Sequence, residues 1–192
     1  MAKKVRKRQL QKEALRRKQK RQRIAWTVAG VVGVVVLIGF IVWAFQQGET
    51  RQSVGRWVPS QGRQHVPDGD AHEPYNTDPP TSGPHSANSV LAGFYDTPVP
   101  DENIVHNLEH GHVAISYDCS RLDDCETVQQ NLRRIVQQYK NWKVIAVPRA
   151  NRDAPIALTA WQRIELLDTY DEERITAFID TWRDKGPEKT PE

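Results

Sequence analysis

Only two cysteines and one methionine occur in 192 residues, and no histidine lies outside residues 65–112. Each scarcity excludes something. Two cysteines cannot build a disulfide-dense scaffold. Cys119 and Cys125 have five residues between them, so the C-x-x-C redox signature is absent. Outside a membrane such a pair most simply forms a disulfide, with a redox pair or metal ligation as the alternatives. The lone methionine, Met1, leaves no thioether set for a soft Cu(I) site. Acid is nearly missing from the first 23 residues, where twelve Lys or Arg stand against Glu13 alone. Charge is missing altogether from Ile24 to Phe45.

That uncharged stretch is 22 residues long and almost wholly apolar. As a helix it spans about 33 Å, enough for a hydrocarbon core of roughly 30 Å. Trp26 and Trp43 mark its ends as interfacial aromatics do. It is longer than the apolar core of a cleaved signal peptide, and Ala44-Phe45-Gln46-Gln47 offers no small-x-small cleavage site. The residues therefore predict a basic cytoplasmic head over 1–23 and a transmembrane helix over 24–45. A linker over 46–54, a domain over 55–188 and a short tail over 189–192 follow. The positive-inside rule places the head in the cytoplasm and the domain outside a plasma membrane, in a single-pass arrangement. The basic head reads as a topology signal that also attracts anionic membrane lipid, not as a nucleic-acid surface. The rest of the chain holds 15 basic and 23 acidic residues, a split that the net charge of +3 conceals.

About 147 residues follow the anchor, room for one domain with a real core. No internal repeat is visible. From about Gly55 to Pro100 the chain is rich in Pro, Gly, Asp and Asn, and Asp78 to His85 reads as turns and extended backbone. Trp57, Tyr75, Phe94 and Tyr95 argue that this long stretch is ordered. It has two readings: it carries His85 into a site, or it is an exposed Pro-rich docking surface. Beyond it, His112 to Tyr117 alternates like a strand. Val128, Leu132, Ile135, Val136 and Tyr139 recur at helical spacing. Lys143–Val147, Ile156–Trp161 and Arg163–Leu167 read as strands. A last helix is capped by Asp171 and stopped by Gly186-Pro187. The order β-α-β-β-β-α predicts an α/β (α+β) domain, a small sheet with packed helices and a long ordered Pro-rich loop.

His106, His110 and His112 share seven residues with Glu109. Placed on a short helix from Asn103 to His110, His106 and His110 lie one turn apart on one face, so both can bind one ion. Glu109 can ligate or orient an imidazole. His65 and His85 lie in loops that can fold back to complete the set. Four imidazoles, or three and an open position, suit zinc or copper(II). The same histidines would equally serve as backbone hydrogen-bond partners or as a pH-sensitive network. The string His106-x-x-Glu109-His110 also matches the inverted zinc-peptidase pattern, with Glu109 as general base. Such enzymes need a distant third ligand and a large cleft, and this domain is small for one. A metal-binding module leads, an interaction or assembly subunit with a membrane-protein partner comes second, and a zinc hydrolase third.

Three strings carry a resemblance: Tyr75-Asn76-Thr77-Asp78-Pro79-Pro80-Thr81-Ser82-Gly83-Pro84-His85, Val105 to Gly111, and Ile156 to Trp161. They resemble a bacterial family, number 3105 of the domains of unknown function, over roughly Gly55 to Glu188. The resemblance implies recurrent histidines at His65, His85, His106 and His110, with Glu109 in the same motif. It implies none at His72 and His112, and it supplies no activity and no catalytic residue.

Overall fold

The computed structural model describes residues 54–190, together with residues 30, 33 and 37–39. The chain divides into two compact units, Met1–Gln52 and Ser53–Glu192, and the second is described below. Among the described residues no helix is long and apolar enough to cross a membrane. The expected head over 1–23 and, apart from residues 30, 33 and 37–39, the expected span over 24–45 lie outside them.

Among the described residues of this second unit, eight strands and three α-helices follow in order. They are β1 (Arg56–Trp57), β2 (His65–Val66), β3 (His85–Ser86), β4 (Gly93–Phe94), α1 (Asp101–Glu109), β5 (Val113–Tyr117), α2 (Cys125–Gln138), β6 (Val144–Pro148), β7 (Ile156–Ala160), β8 (Arg163–Leu167) and α3 (Glu172–Trp182). Six strands form one sheet in the order β1-β8-β7-β5-β6-β4, and β2 pairs with β3. Strands β5 and β6 are parallel, with Ile115 opposite Ala146, and α2 provides the crossover a parallel pair requires. Strands β7 and β8 form a tight antiparallel hairpin closed at Ala160 and Arg163.

Alternation along the strands divides the apolar residues between two faces. Val113, Ile115, Tyr117, Val144, Ala146, Ile156 and Leu158 point one way. They meet Val128, Leu132, Ile135 and Val136 of α2 and Ile175, Phe178 and Ile179 of α3. The opposite face, with Ala114, Ile145 and Val147, is covered by Ile104 and Leu108 of α1. Caps fix where α2 and α3 begin: Asp124 accepts from the Thr127 N–H at 3.1 Å and Asp171 from the Arg174 N–H at 3.0 Å.

The β-α-β-β-β-α order from β5 to α3 is as the periodicity predicts. Three details differ. The sheet is larger than expected, because β1 and β4 add to it and two-residue strands carry no readable period. Helix α1 starts at Asp101, two residues before Asn103. Helix α3 stops at Trp182, well before Gly186-Pro187.

The Pro-rich stretch is buried from Asp78 to Gly83, so its backbone is not a docking surface. The Asp78 carboxylate accepts from Arg149 and, at 2.8 Å, from the Arg152 N–H. Arg149 also reaches Asp101 at the start of α1. The Thr81 carbonyl accepts from the Gln162 N–H in the β7–β8 turn at 3.1 Å. Gly83 has φ +128°, and an added Cβ there would lie 3.0 Å from the Tyr75 ring. The chain turns there, and the turn delivers His85 into β3. Cys119 and Cys125 stand at disulfide distance beside the start of α2, with Cα atoms 5.2 Å apart.

Candidate metal site

Strands β2 and β3 run parallel with His65 opposite His85. This short pair lies against α1, which carries His106 and Glu109 and ends with His110 as its C-cap. All five residues proposed from the sequence are thus brought together. The rings of His65 and His85 are 4.8 Å apart, those of His65 and His106 5.2 Å, those of His85 and His106 5.3 Å, and those of His106 and His110 4.4 Å. Two groups could each hold a metal ion: His65, His85 and His106, and His106, Glu109 and His110. Within each, the donor atoms lie within 4.8 Å of one another. Ligands on one zinc ion at about 2 Å sit roughly 3.3 Å apart, so small side-chain rotations close either group.

Two rings are held in the tautomer a metal needs. The Nδ1–H of His106 donates to the Ser86 carbonyl at 2.7 Å, and that of His85 to the Gly83 carbonyl at 2.8 Å. Each leaves Nε2 to face the cluster. A ligating histidine commonly has its other ring nitrogen held in this way. Nε2 of His106 lies 3.1 Å from Nε2 of His110.

The electrostatics around Glu109 are tight. Its side chain is 2 % exposed, Oε1 takes the Arg63 guanidinium, and Oε2 lies 3.1 Å from His85 Nε2. Burial pushes Glu109 up, but the Arg63 hydrogen bond and the facing His85 outweigh it and hold the carboxyl below its ordinary range. Burial also pushes His85 down, against the pull of the Gly83 carbonyl and Glu109. A neutral His85 has one N–H but faces two acceptors, the Gly83 carbonyl and Glu109. A cation on its Nε2 satisfies that arrangement, so the residues present fit a bound metal. With Arg63 on one carboxylate oxygen and His85 beside the other, Glu109 is placed to orient an imidazole or to ligate.

His72 and His112 stay out of both groups. His72 packs on Tyr75 with ring centroids 4.7 Å apart and approaches Glu102 at 3.3 Å. The Nδ1 of His112 lies 3.0 Å from the Asn107 carbonyl. Four neighbours carried no signal in the sequence. Arg63 holds Glu109, Ser86 holds His106, and Asn107 clasps the Val90 backbone through both its N–H and its carbonyl at 2.9 and 2.7 Å. Glu188 arrives from the C-terminal end, with Oε1 3.9 Å from His110 Nε2 and Oε2 3.5 Å from Arg63. The Glu188 N–H donates to the Glu109 carbonyl at 3.1 Å, and the close passage at Gly186, where a Cβ would lie 2.1 Å from that carbonyl, lets the segment approach.

Residues 65–192 match a family described as a protein of unknown function, DUF3105. The chain belongs to this family. Its first matched residue is His65, so the match covers every donor in the cluster. No curated protein and no solved structure matches the chain.

Proposed function

We propose that this protein is a metal-binding module for copper(II) or zinc, held on the outer face of a bacterial plasma membrane by the apolar segment over 24–45. One observation carries the metal reading. His65, His85 and His106, from three separate elements, turn their imidazoles toward a common point, and carbonyls fix the tautomer of two of them. An all-imidazole set with a carboxylate beside it suits a borderline divalent ion, not Mg²⁺ or Ca²⁺. The membrane location is supported by the uncharged 22-residue segment and the twelve basic residues before it.

The test is the metal content of the detergent-solubilised full chain, purified without a polyhistidine tag and measured by elemental mass spectrometry. Wild type should carry near-stoichiometric copper or zinc, and His106→Ala should carry neither. Equal metal content in the two proteins, or none in wild type after reconstitution, refutes the reading. Cysteine labelling on either side of intact cells tests the topology, with residues after 45 expected to react from outside.

A further inference from the structure

His106 belongs to both groups of donors. Its Nδ1–H is committed to the Ser86 carbonyl, so the ring offers one lone pair, on Nε2. An imidazole bridges two ions only when both nitrogens are free of protons. The groups are therefore alternative positions for one ion, not a two-metal centre.

The positions differ in chemistry and in access. One offers three imidazoles, and His65 gives it a side chain 52 % exposed. The other offers two imidazoles and a carboxylate, a harder set, and is flanked by the half-exposed Glu188. His85 takes part in both states. It is a ligand in the first; in the second, with the ion gone, its Nε2 takes a proton from water and donates that N–H to Glu109 Oε2, 3.1 Å away. Arg63 is placed to follow the change, because it touches Glu109 and has Glu188 3.5 Å away.

We propose that a single divalent transition-metal ion steps between these two positions by exchanging ligands around His106, so that the domain hands the ion on and does not merely store it. His65 and His85 let go as Glu109 and His110 bind. No electron moves, and the only bond exchanged is the N–H at His85 Nε2, formed with a water proton as the ion leaves and given back to water as it returns. The ion enters the cluster beside His65 and reaches a second end at the largely covered His110, where the half-exposed Glu188 meets solvent. This inference rests on the metal-binding reading above.

Titrating Cu²⁺ alone into the detergent-solubilised full chain tests it, with stoichiometry and the electron paramagnetic resonance spectrum as readouts. Wild type should saturate at one ion with two overlapping signals, one richer in nitrogen couplings. His65→Ala should keep one ion and only the nitrogen-poor signal, and His110→Ala only the nitrogen-rich one, each with affinity down roughly tenfold. His106→Ala should bind at neither position. Circular dichroism confirms folding, and His110→Gln replaces His110→Ala if the latter's spectrum changes. Two ions per wild-type chain, or a wild-type signal unchanged by loss of His110, overturns the stepping and leaves the metal module standing. No copper in wild type overturns both.

Discussion

Two halves of this domain are held together by different physics. From β5 to α3 the chain is organised by apolar burial. Leu132, Ile135, Ile156, Leu158, Ile175 and Phe178 have no exposed surface, and they pack as one cluster. From β1 to α1, besides the apolar contact of Ile104 and Leu108 with the sheet, it is organised by individual polar contacts. Asp78 on Arg149, Asn107 on the Val90 backbone, Ser86 on His106 and Arg63 on Glu109 hold it in place. Hydrophobic packing is non-directional, so it makes a stable platform and tolerates many sequences. Hydrogen bonds and ion pairs are directional, so they position imidazoles to within an ångström. The first half gives the fold its stability, and the second gives the site its geometry.

The comparison is broken most severely at Phe178. Removing this fully buried ring in Phe178→Ala leaves a cavity among α2, α3 and the sheet and should cost about 4 kcal/mol in denaturant unfolding. Metal bound per folded molecule should not change, because Phe178 touches no donor. Coupled loss of metal in the still-folded fraction would mean that the apolar core also sets the geometry of the site. Arg149→Ala comes next. It strips Asp78 and Asp101 of their shared cation and should cost about 3 kcal/mol, the lower part of the range for a broken buried pair, since Arg149 is slightly exposed. Unlike Phe178→Ala it should also weaken metal binding, because Asp78 anchors the loop that carries His85. Asn107→Ala is gentler for stability, about 2 kcal/mol for two lost, partly buried bonds. It frees the segment that presents Ser86 to His106, and metal affinity should fall roughly tenfold. An affinity unchanged within error would show that α1 alone orients His106.

The same contrast explains what could be read from the sequence. The alternation of Val113, Ile115 and Tyr117, the helical spacing of Val128, Leu132, Ile135 and Val136, and the capping aspartates are local patterns. They reveal β5, α2 and α3 directly. The histidines were legible as a set by their clustering and by the one-turn spacing of His106 and His110. Their partners were not. Arg63 and Glu109 are 46 residues apart, His85 and Glu109 are 24 apart, and Asp78 and Arg149 are 71 apart. No periodicity encodes such pairs, because each depends on how the whole loop is laid on the sheet. The two-residue strands β1 to β4 escaped for the same reason: they are strands only because a neighbour pairs with them. The Pro-rich stretch is the intermediate case. Its aromatics signalled order, and its burial decides between carrying His85 and docking a partner.

The mildest expected effect lies at an ion pair outside both the core and the site. Arg134 on α2 donates two hydrogen bonds to the Glu172 carboxylate at the start of α3, at 2.9 and 2.6 Å. That guanidinium first, and then the Tyr170 hydroxyl, lowers the Glu172 carboxyl from its ordinary 4.5 to about 2. A carboxyl with a lower pKa folded than unfolded stabilises the folded chain above the unfolded value. The contribution is therefore complete above about pH 4.5 and is lost as the pH falls toward 2. Arg134→Gln should make the melting temperature fall less steeply between those two pH values, with no change near neutrality beyond a small uniform drop. Solvent screens this exposed pair, so the effect should shrink in high salt. An acid limb identical in wild type and Arg134→Gln would mean that this ion pair does not help to join α2 to α3, which would make the contrast between the two halves sharper still.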